Sequence, residues 1–595
     1  MRLPFPGVFG ILYTNDVKTV WGGWDMERWV VAMKKADFYA IGEKYHISPI
    51  LARLIRNRDI IGDEDIDFYL NGTIADLYDG MLMKDMDRAV EILSEKIRED
   101  KPIRVIGDYD IDGVNATYIL QEGLSGLGAD VDTDIPDRIK DGYGLNKMLI
   151  DRALDDRIDT IITCDNGIAA AEEIAYGKKN GLTIIVTDHH EVPYVEMNGE
   201  KEYLLPQADA VVDPHRADCG YPFKGLCGAA VAYKLVEALY NVMQKDSDDM
   251  DYLMENVAIA TVGDVMDLVG ENRIFVKQGM EMLKRTQNQG LKALIECTGI
   301  AVERLNTYHI GFILGPCINA GGRLDTAKRA LELLNARTRR DAVMLAEDLK
   351  ALNDSRKEMT ERGVAEAVQM IETTSLKDDR VLVVYLPDCH ESIAGIIAGR
   401  IKERYYRPVF VLTKAEEDVK GSGRSIETYD MFAQMCRCRE LFIKFGGHKL
   451  AAGFSLEEGN IQRFRETINV LCDLTEQDVQ MKVSIDMQLP FPYITEELIK
   501  ELELLEPFGK GNQKPLFAEK NLRVISPRIF GKNRNVLKCR LEDVNGNQME
   551  AVYFGDVEAC LRAMEEKPVM SFTYHPSVNE YMGRRSVQVT IINYR

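Results

Sequence analysis

The stretch "RVIGDYDIDG" sets Asp108, Asp110 and Asp112 on alternate positions directly after a short apolar run. In an extended segment residues two apart point the same way, so these carboxylates share one face or converge in the turn that follows. Repulsion at that range disfavours ionising all three unless an opposite charge is present. A divalent cation is the simplest partner, because the nearest basic residue, Arg104, lies on the far side of the apolar run. Asp and Gly also build ordinary turns, which is the plain alternative for this stretch alone.

Further along, "TIITCDNG" delivers Asp165, "LTIIVTDHHE" delivers Asp188, His189 and His190, "ADAVVD" delivers Asp213, and "ATVGDVMDL" adds Asp264 and Asp267. The chain has 8 histidines, so an adjacent pair after an aspartate at a strand end stands out from its composition. Several carboxylates with one or two imidazoles offer enough ligands for two cations. Oxygen ligands suit magnesium or manganese, and imidazole tilts the choice to manganese, with zinc and iron still open. Two metals roughly 3.5 to 4 Å apart serve in-line phosphoryl chemistry, so phosphoester hydrolysis is the reaction class. No nucleophile elbow, Walker loop or GxGxxG accompanies a strand, which weakens serine hydrolase, nucleoside triphosphatase and dehydrogenase readings.

These residues need a scaffold. From Pro102 to about Leu268, β-branched runs alternate with helical stretches, the pattern of a parallel sheet wrapped by helices. The runs "IRVIG", "TIITC", "LTIIVT" and "ADAVV" are its strands, and each ends on the acidic or histidine residues above. Open sheets of this class bind ligands beyond the carboxyl ends of their strands. From Asp325 to Thr374 strong helix formers run without proline, predicting one or two long connecting helices. A second α/β unit follows, with strands "RVLVVYL" and "RPVFVLT", helix "ESIAGIIAGRIKERY" and glycine-rich "FGGHKLAAGFSL". After Met481 short strands and turn signals predict a small β-barrel. The fold class is α/β with that barrel appended. Boundaries fall at 1–80 for a mostly helical N-terminal segment, then 81–275, 276–375, 376–480 and 481–595.

A chain of 595 residues, 46% apolar and 29% charged, has room for roughly three or four domains. No apolar run reaches the roughly 18 residues of a membrane span, and no leader pattern opens the chain, so a cytoplasmic protein without membrane contact is expected. The 11 cysteines include no CxxC pair, and the Cys436–Cys438 CxC reads as incidental rather than as a zinc site. The net charge of −22 argues against binding nucleic acid by bulk positive charge. From Glu519 onward basic residues such as Lys520, Arg523, Arg528 and Arg540 outnumber acids, which points to an anionic partner for that segment.

"GDYDIDG", "TCDNGI", "VTDHHE" and "TVGDVMDL" resemble the four motifs of the DHH phosphoesterases. "IPDRIKDGYGLN", "GPCINAGGRLDTA", "HESIAGIIAGRI", "KGSGRSI", "FGGHKLAAG" and "LEPFGKGNQKPLF" look like the RecJ branch, exonucleases specific for single-stranded DNA that work from the 5' end. The resemblance covers roughly Asp85 to Arg595 in family order, while the opening "MRLPFPGVFGILYTNDVKTVWGG" is less typical. It implies a DHH catalytic domain, a DHH-associated substrate domain and an OB-type nucleic-acid-binding barrel.

Position by position, the resemblance implies that Asp108, Asp110 and Asp165 hold one metal. Asp112, Asp165, His189 and Asp264 hold the other, with Asp165 as the bridge. His190 would lie towards the scissile phosphate, while Asp188 orients an imidazole. Asp213 and Asp267 are better explained by a turn and a helix end. Asp165, His190 and Asp110 are thus the expected catalytic group. For the strand, Gly446, Gly447 and His448 allow close backbone approach to a phosphate. Arg323 and Arg424 are candidate phosphate clamps, with Asn319 beside Arg323 in the same motif. Cys317 departs from the RecJ pattern, which has arginine there, and leaves one substrate contact open. Aromatics Phe530, Tyr553, Phe554, Tyr574 and Tyr581 fit a single-strand-binding barrel, without any one being assigned to stacking.

A narrow passage between the lobes would admit one strand and exclude a duplex. The family's work in recombination and repair implies a single-strand-binding protein and a helicase as partners of a monomer. The competing readings are another DHH phosphoesterase, acting on oligoribonucleotides or cyclic dinucleotides, and a catalytically inactive DNA-binding scaffold. The first typically lacks the barrel, and the second would have lost ligand positions that are all filled here.

Overall fold

The computed structural model describes residues 27–595 except 139–140, 143, 198–199, 416–417 and 582. The atypical opening segment therefore lies outside the described residues, as do Ile139, Lys140 and Tyr143 of the "IPDRIKDGYGLN" motif and the side chain of Tyr581.

Five parallel strands form the first sheet, side by side in the order Val131–Asp134, Ile103–Gly107, Thr160–Cys164, Thr183–Thr187 and Ala210–Val212. Alternate residues feed two cores. Val105, Ile162 and Ile185 pack into one, and Ile106, Ile161 and Ile184 into the other, so helices cover both faces. This explains why the strands read as continuous apolar runs. The strand order reverses at the neighbours Ile103–Gly107 and Thr160–Cys164, and their carboxyl ends deliver Asp108 and Asp165 to the crevice where such sheets bind ligands.

The predicted connector is a short helix, Lys328–Leu334, followed by Arg339–Thr373. The second helix has 35 residues and spans about 52 Å. It leads to a mixed sheet ordered Lys444–His448, Ala451–Leu456, Val419–Arg424, Val409–Lys414, Leu382–Tyr385. In the C-terminal region, Phe517–Phe530, Val536–Glu542, Gln548–Tyr553, Arg584–Tyr594 and Val569–Tyr581 pair in sequence round a ring, and the last closes on the first to make a five-stranded barrel.

One relationship was not legible in the sequence. Glu27–Val31 pairs in parallel with Met481–Ile485, and Leu51, Leu54 and Tyr69 share a core with Leu505, Phe517 and Phe572. Asn512 ties the ends together, accepting from Arg58 Nε and Tyr69 Oη and donating to the carbonyls of Leu505 and Pro507.

Candidate active site

The aspartates of "GDYDIDG" do not lie along an extended strand. The strand ends at Gly107, Asp110 caps the helix Ile111–Gly126, and Asp112 sits in its first turn. Asp110 accepts the amides of Asp112 and Gly113 at 2.9 and 3.1 Å, which folds the segment back on itself and brings the carboxylates together.

A second helix end holds Asp112. Its two oxygens accept the amides of Gly228 and Ala229 at 2.7 and 2.8 Å, at the start of Gly228–Val242. A Cβ on Gly228 would stand 2.7 Å from the Asp165 Cβ and 3.2 Å from Asp112 Oδ2, so only glycine lets this helix approach the cluster. Sequence reasoning missed Gly228, and the small-residue run "GLCGAA" at a helix start was its only signal. Asp165 itself has φ 59°, a left-handed conformation that aspartate tolerates.

His189 is the hub. Its Nε2 lies 3.0 Å from Asp165 Oδ1, 3.4 Å from Asp112 Oδ2 and 4.0 Å from Asp264 Oδ2. Ligand atoms of Asp108, Asp110 and Asp165 lie within 4.8 Å of one another, as do those of Asp112, His189 and Asp264, and of Asp165, His189 and His190. Asp264 caps the C-terminus of Met254–Gly263, and Val265 follows in a left-handed conformation (φ 58°).

So many acids in a buried crevice cannot all stay ionised unaided. Burial and Asp110 push Asp108 up to about 8, and burial with Asp112 and Asp110 does the same to Asp264. Asp165 is raised well above the carboxylate range by burial and by Asp112, Asp110, Asp108 and Asp264. Burial lowers His189, keeping the imidazole neutral and able to ligate. Asp108 Oδ1 is buried with no hydrogen-bond partner among the described residues, a cost that a cation would remove. Raised carboxyls, a neutral imidazole and this orphaned oxygen fit divalent cations at these positions.

The remaining sequence candidates lie on several different elements. Asp188 binds His190 rather than the cluster, through Oδ1 to Nδ1 at 2.8 Å. Asp213 is buried behind it and accepts the His215 amide, as a turn residue would. Asp267 pairs with Lys510 at 3.4 Å. Cys436 and Cys438 are free thiols. Gly446, Gly447 and His448 form an exposed edge strand, not a loop. Gly447 (φ 150°) is required within that hairpin, since a Cβ would meet the Ala451 carbonyl at 2.4 Å, whereas the space over Gly446 is open. Arg424 ends the strand Val419–Arg424, which Ala451–Leu456 separates from that edge strand. Asn319 and Arg323 lie on Gly315–Leu324, and Arg323 donates to the Ser392 carbonyl of the second lobe at 3.1 Å. In the barrel Tyr574 is core, donating to the Leu489 carbonyl at 2.5 Å, while Phe530 and Phe554 face outward.

One feature went unread in the sequence. A groove of about 870 Å³ runs beside Val265 and Met266, between Leu305–Phe312 and the loop Glu503–Lys514. Lys277, Lys284, Lys510 and Lys514 line it together with Glu281, Glu503 and Glu506, and the rings of Tyr308 and Phe312 stack at 5.0 Å with 60% and 61% of each residue exposed. The exposed aromatic faces, with lysines beside them, offer stacking platforms to a single nucleic-acid strand.

A doubly wound sheet with carboxylates and paired histidines at its reversal point, joined to a second lobe, is the architecture of the DHH phosphoesterases. The N-terminal domain of the DHH family matches residues 102–261, the DHHA1 domain matches 378–473 and the RecJ OB domain matches 485–593. The chain is 34% identical over 573 residues to the single-stranded-DNA-specific exonuclease RecJ of Bacillus subtilis (strain 168), covering 95% of this chain and 70% of that protein. Crystal structures of RecJ from Thermus thermophilus in complex with Mn2+ and with Mg2+ superpose with TM-scores of 0.81 and 0.77. These share 27% and 26% identity, and each alignment covers 96% of this chain, with 80% and 79% of the respective Thermus chain. The chain belongs to the RecJ family.

Proposed function

We propose that this protein is a metal-dependent exonuclease that hydrolyses single-stranded DNA from the 5' end to mononucleotides, in recombination and repair. The convergence of Asp108, Asp110, Asp112, Asp165, His189 and Asp264 at the sheet's rim carries the reading. Asp108, Asp110 and Asp165 would hold one cation and Asp112, Asp165, His189 and Asp264 a second, with Mn2+ favoured and Mg2+ suitable, as in the two Thermus structures. When bound, the cations supply charge neutralisation at the phosphodiester and acidify a water.

The chain's own residues bind and orient. Burial opposes the charge on His190, but the Asp188 hydrogen bond and the fields of Asp188, Asp112 and Asp264 together outweigh it and raise the imidazole to about 9, so it is protonated at neutral pH. Its Nδ1–H donates to Asp188, and we assign its Nε2–H to the scissile phosphate. Arg323 and Arg424 hold strand phosphates, with Asn319, Gly446, Gly447 and His448 on the same side. The groove past Asp264, with its exposed Tyr308–Phe312 stack, takes the continuing strand.

No helix among the described residues is long and apolar enough to cross a membrane. A cytoplasmic monomer working with a single-strand-binding protein and a helicase completes the proposal.

Purified protein with Mn2+ is incubated with 5'-labelled single-stranded and duplex DNA. Mononucleotides released only from the single strand are expected. Binding without cleavage would favour a scaffold instead.

A further inference from the structure

Four guanidiniums gather on the strand-holding side of the crevice, and among the described residues their contacts go to neutral groups only. The Arg138 guanidinium lies over the Tyr109 ring at 5.0 Å. Arg323 donates to the Ser392 carbonyl, and Arg424 to Ser422 Oγ and the Gly423 carbonyl at 3.1 and 2.7 Å. Arg356, from the 35-residue helix, donates through Nε and Nη2 to Asn353 Oδ1 at 3.1 and 2.8 Å. Burial and the fields of Arg138, Arg356 and Arg424 lower Arg323 to about 10, against the opposing field of Asp110. Half-buried like charges with no carboxylate bonded to them among the described residues are an arrangement that an anion stabilises, and guanidiniums match phosphate oxygens in particular.

Arg356 is held by a chain of contacts that begins at Cys317. Cys317 is fully buried on the helix that also carries Asn319 and Arg323. Asn353 Nδ2 donates to Cys317 Sγ at 3.4 Å, which turns Oδ1 of the same buried amide towards Arg356. A small side chain at 317 thus fixes the amide that aims a guanidinium from a different helix.

We propose that Arg356 is a phosphate-binding residue of the strand site, supplied by the connector helix where position 317 contributes no charge. The proposal rests on the exonuclease reading and names a binding residue for it. Its ligand is a nucleic-acid phosphate, terminal or internal.

Binding of fluorescent single-stranded oligonucleotides, with and without a 5'-phosphate, is measured by anisotropy in EDTA for wild type, Arg356→Ala and Arg356→Gln. Glutamine keeps the stem and can still donate to Asn353, so it preserves the local fold if alanine does not. Both variants are expected to bind about tenfold more weakly, with the salt slope reduced by about one. With Mn2+, KM should rise about tenfold while kcat holds within about twofold. A loss seen only with the phosphorylated strand assigns Arg356 to the terminal phosphate, and an equal loss with both assigns it to an internal one. Wild-type affinity and salt slope in Arg356→Gln, at an unchanged melting temperature, would overturn the proposal. A wild-type protein that binds neither oligonucleotide would overturn the exonuclease reading itself.

Discussion

His190 Nδ1 lies 2.8 Å from Asp188 Oδ1, and that oxygen also accepts the backbone amides of His189 and His190. Asp188 Oδ2 accepts the Ile168 amide at 2.9 Å. The carboxylate is thus pinned from both ends, and it fixes the ring beside the cluster. Burial opposes its charge, but the His190 bond, the fields of His190 and His189 and the Ile168 amide together hold Asp188 below the usual carboxylate range. Asp188→Asn should lower kcat by about 10- to 100-fold with metal affinity little changed. Steady-state cleavage of a single strand and a Mn2+ titration check this. An unaltered kcat would remove the pair from catalysis.

Asp165→Asn should abolish cleavage while the metal-free protein melts no lower than wild type. Asparagine accepts the left-handed backbone at this position and resembles the protonated acid that the crowded, metal-free crevice favours. Asp165→Ala removes the same ligand but adds roughly 1 kcal/mol or more of backbone strain. Near-normal turnover in either variant would contradict the bridging role.

Much of this site was legible because the strands "IRVIG", "TIITC", "LTIIVT" and "ADAVV" are buried on both faces, so apolar runs marked them and their ends marked the rim. The fifth strand, "VDTD", pairs only along one edge and has a single apolar residue, Val131, so no run announced it. Spacing alone left two geometries open for Asp108, Asp110 and Asp112, one face of a strand or convergence in the following turn, and the N-cap at Asp110 selects the second. Tyr308 and Phe312 stand one helical turn apart, a spacing that core and surface aromatics share, so only their exposure marks the stack out. Pairing of Glu27–Val31 with Met481–Ile485 depends on a contact across most of the chain, which no local pattern encodes.

Cation binding should stabilise the protein strongly. The cluster must give up protons to ligate, and Asp108 and Asp264 sit at about 8, so Mn2+ affinity should rise as pH increases from 6 to 8. At a concentration of 100 times Kd, linkage gives about 2.7 kcal/mol. Thermal melts with Mn2+ and then EDTA check the gain and its reversal, and calorimetry in two buffers counts the released protons. A melting temperature indifferent to Mn2+ would contradict the ligand set.

Tyr308→Ala and Phe312→Ala should each weaken single-strand binding by about 1 to 3 kcal/mol, the worth of one base stacked on a ring. The rings are more than half exposed, so the fold should be little affected. Binding is measured with oligonucleotides of increasing length. A loss confined to longer strands places the groove away from the cleaved end, and no loss at any length would exclude it from the path.

Glu255 provides a pH-dependent contribution to stability away from the rim. It is 2% exposed, and Thr286 Oγ1 donates to its Oε1 at 2.7 Å. Burial outweighs that bond and the field of Lys292, pushing the carboxyl up to about 7. Its folded pKa therefore lies above the ordinary value of 4.5. Below pH 4.5 both states carry the proton and the group contributes nothing. Between 4.5 and 7 the unfolded chain ionises first, so the folded state loses up to about 1.4 kcal/mol per pH unit, roughly 3 kcal/mol in all. Glu255→Gln keeps an oxygen for Thr286 and never ionises, so its gain over wild type should be absent near pH 4.5 and should grow to a plateau above pH 7. The difference in melting temperature between variant and wild type, followed across that range, isolates this group from every other titration. A difference that stays flat with pH would mean that Glu255 remains charged in the fold.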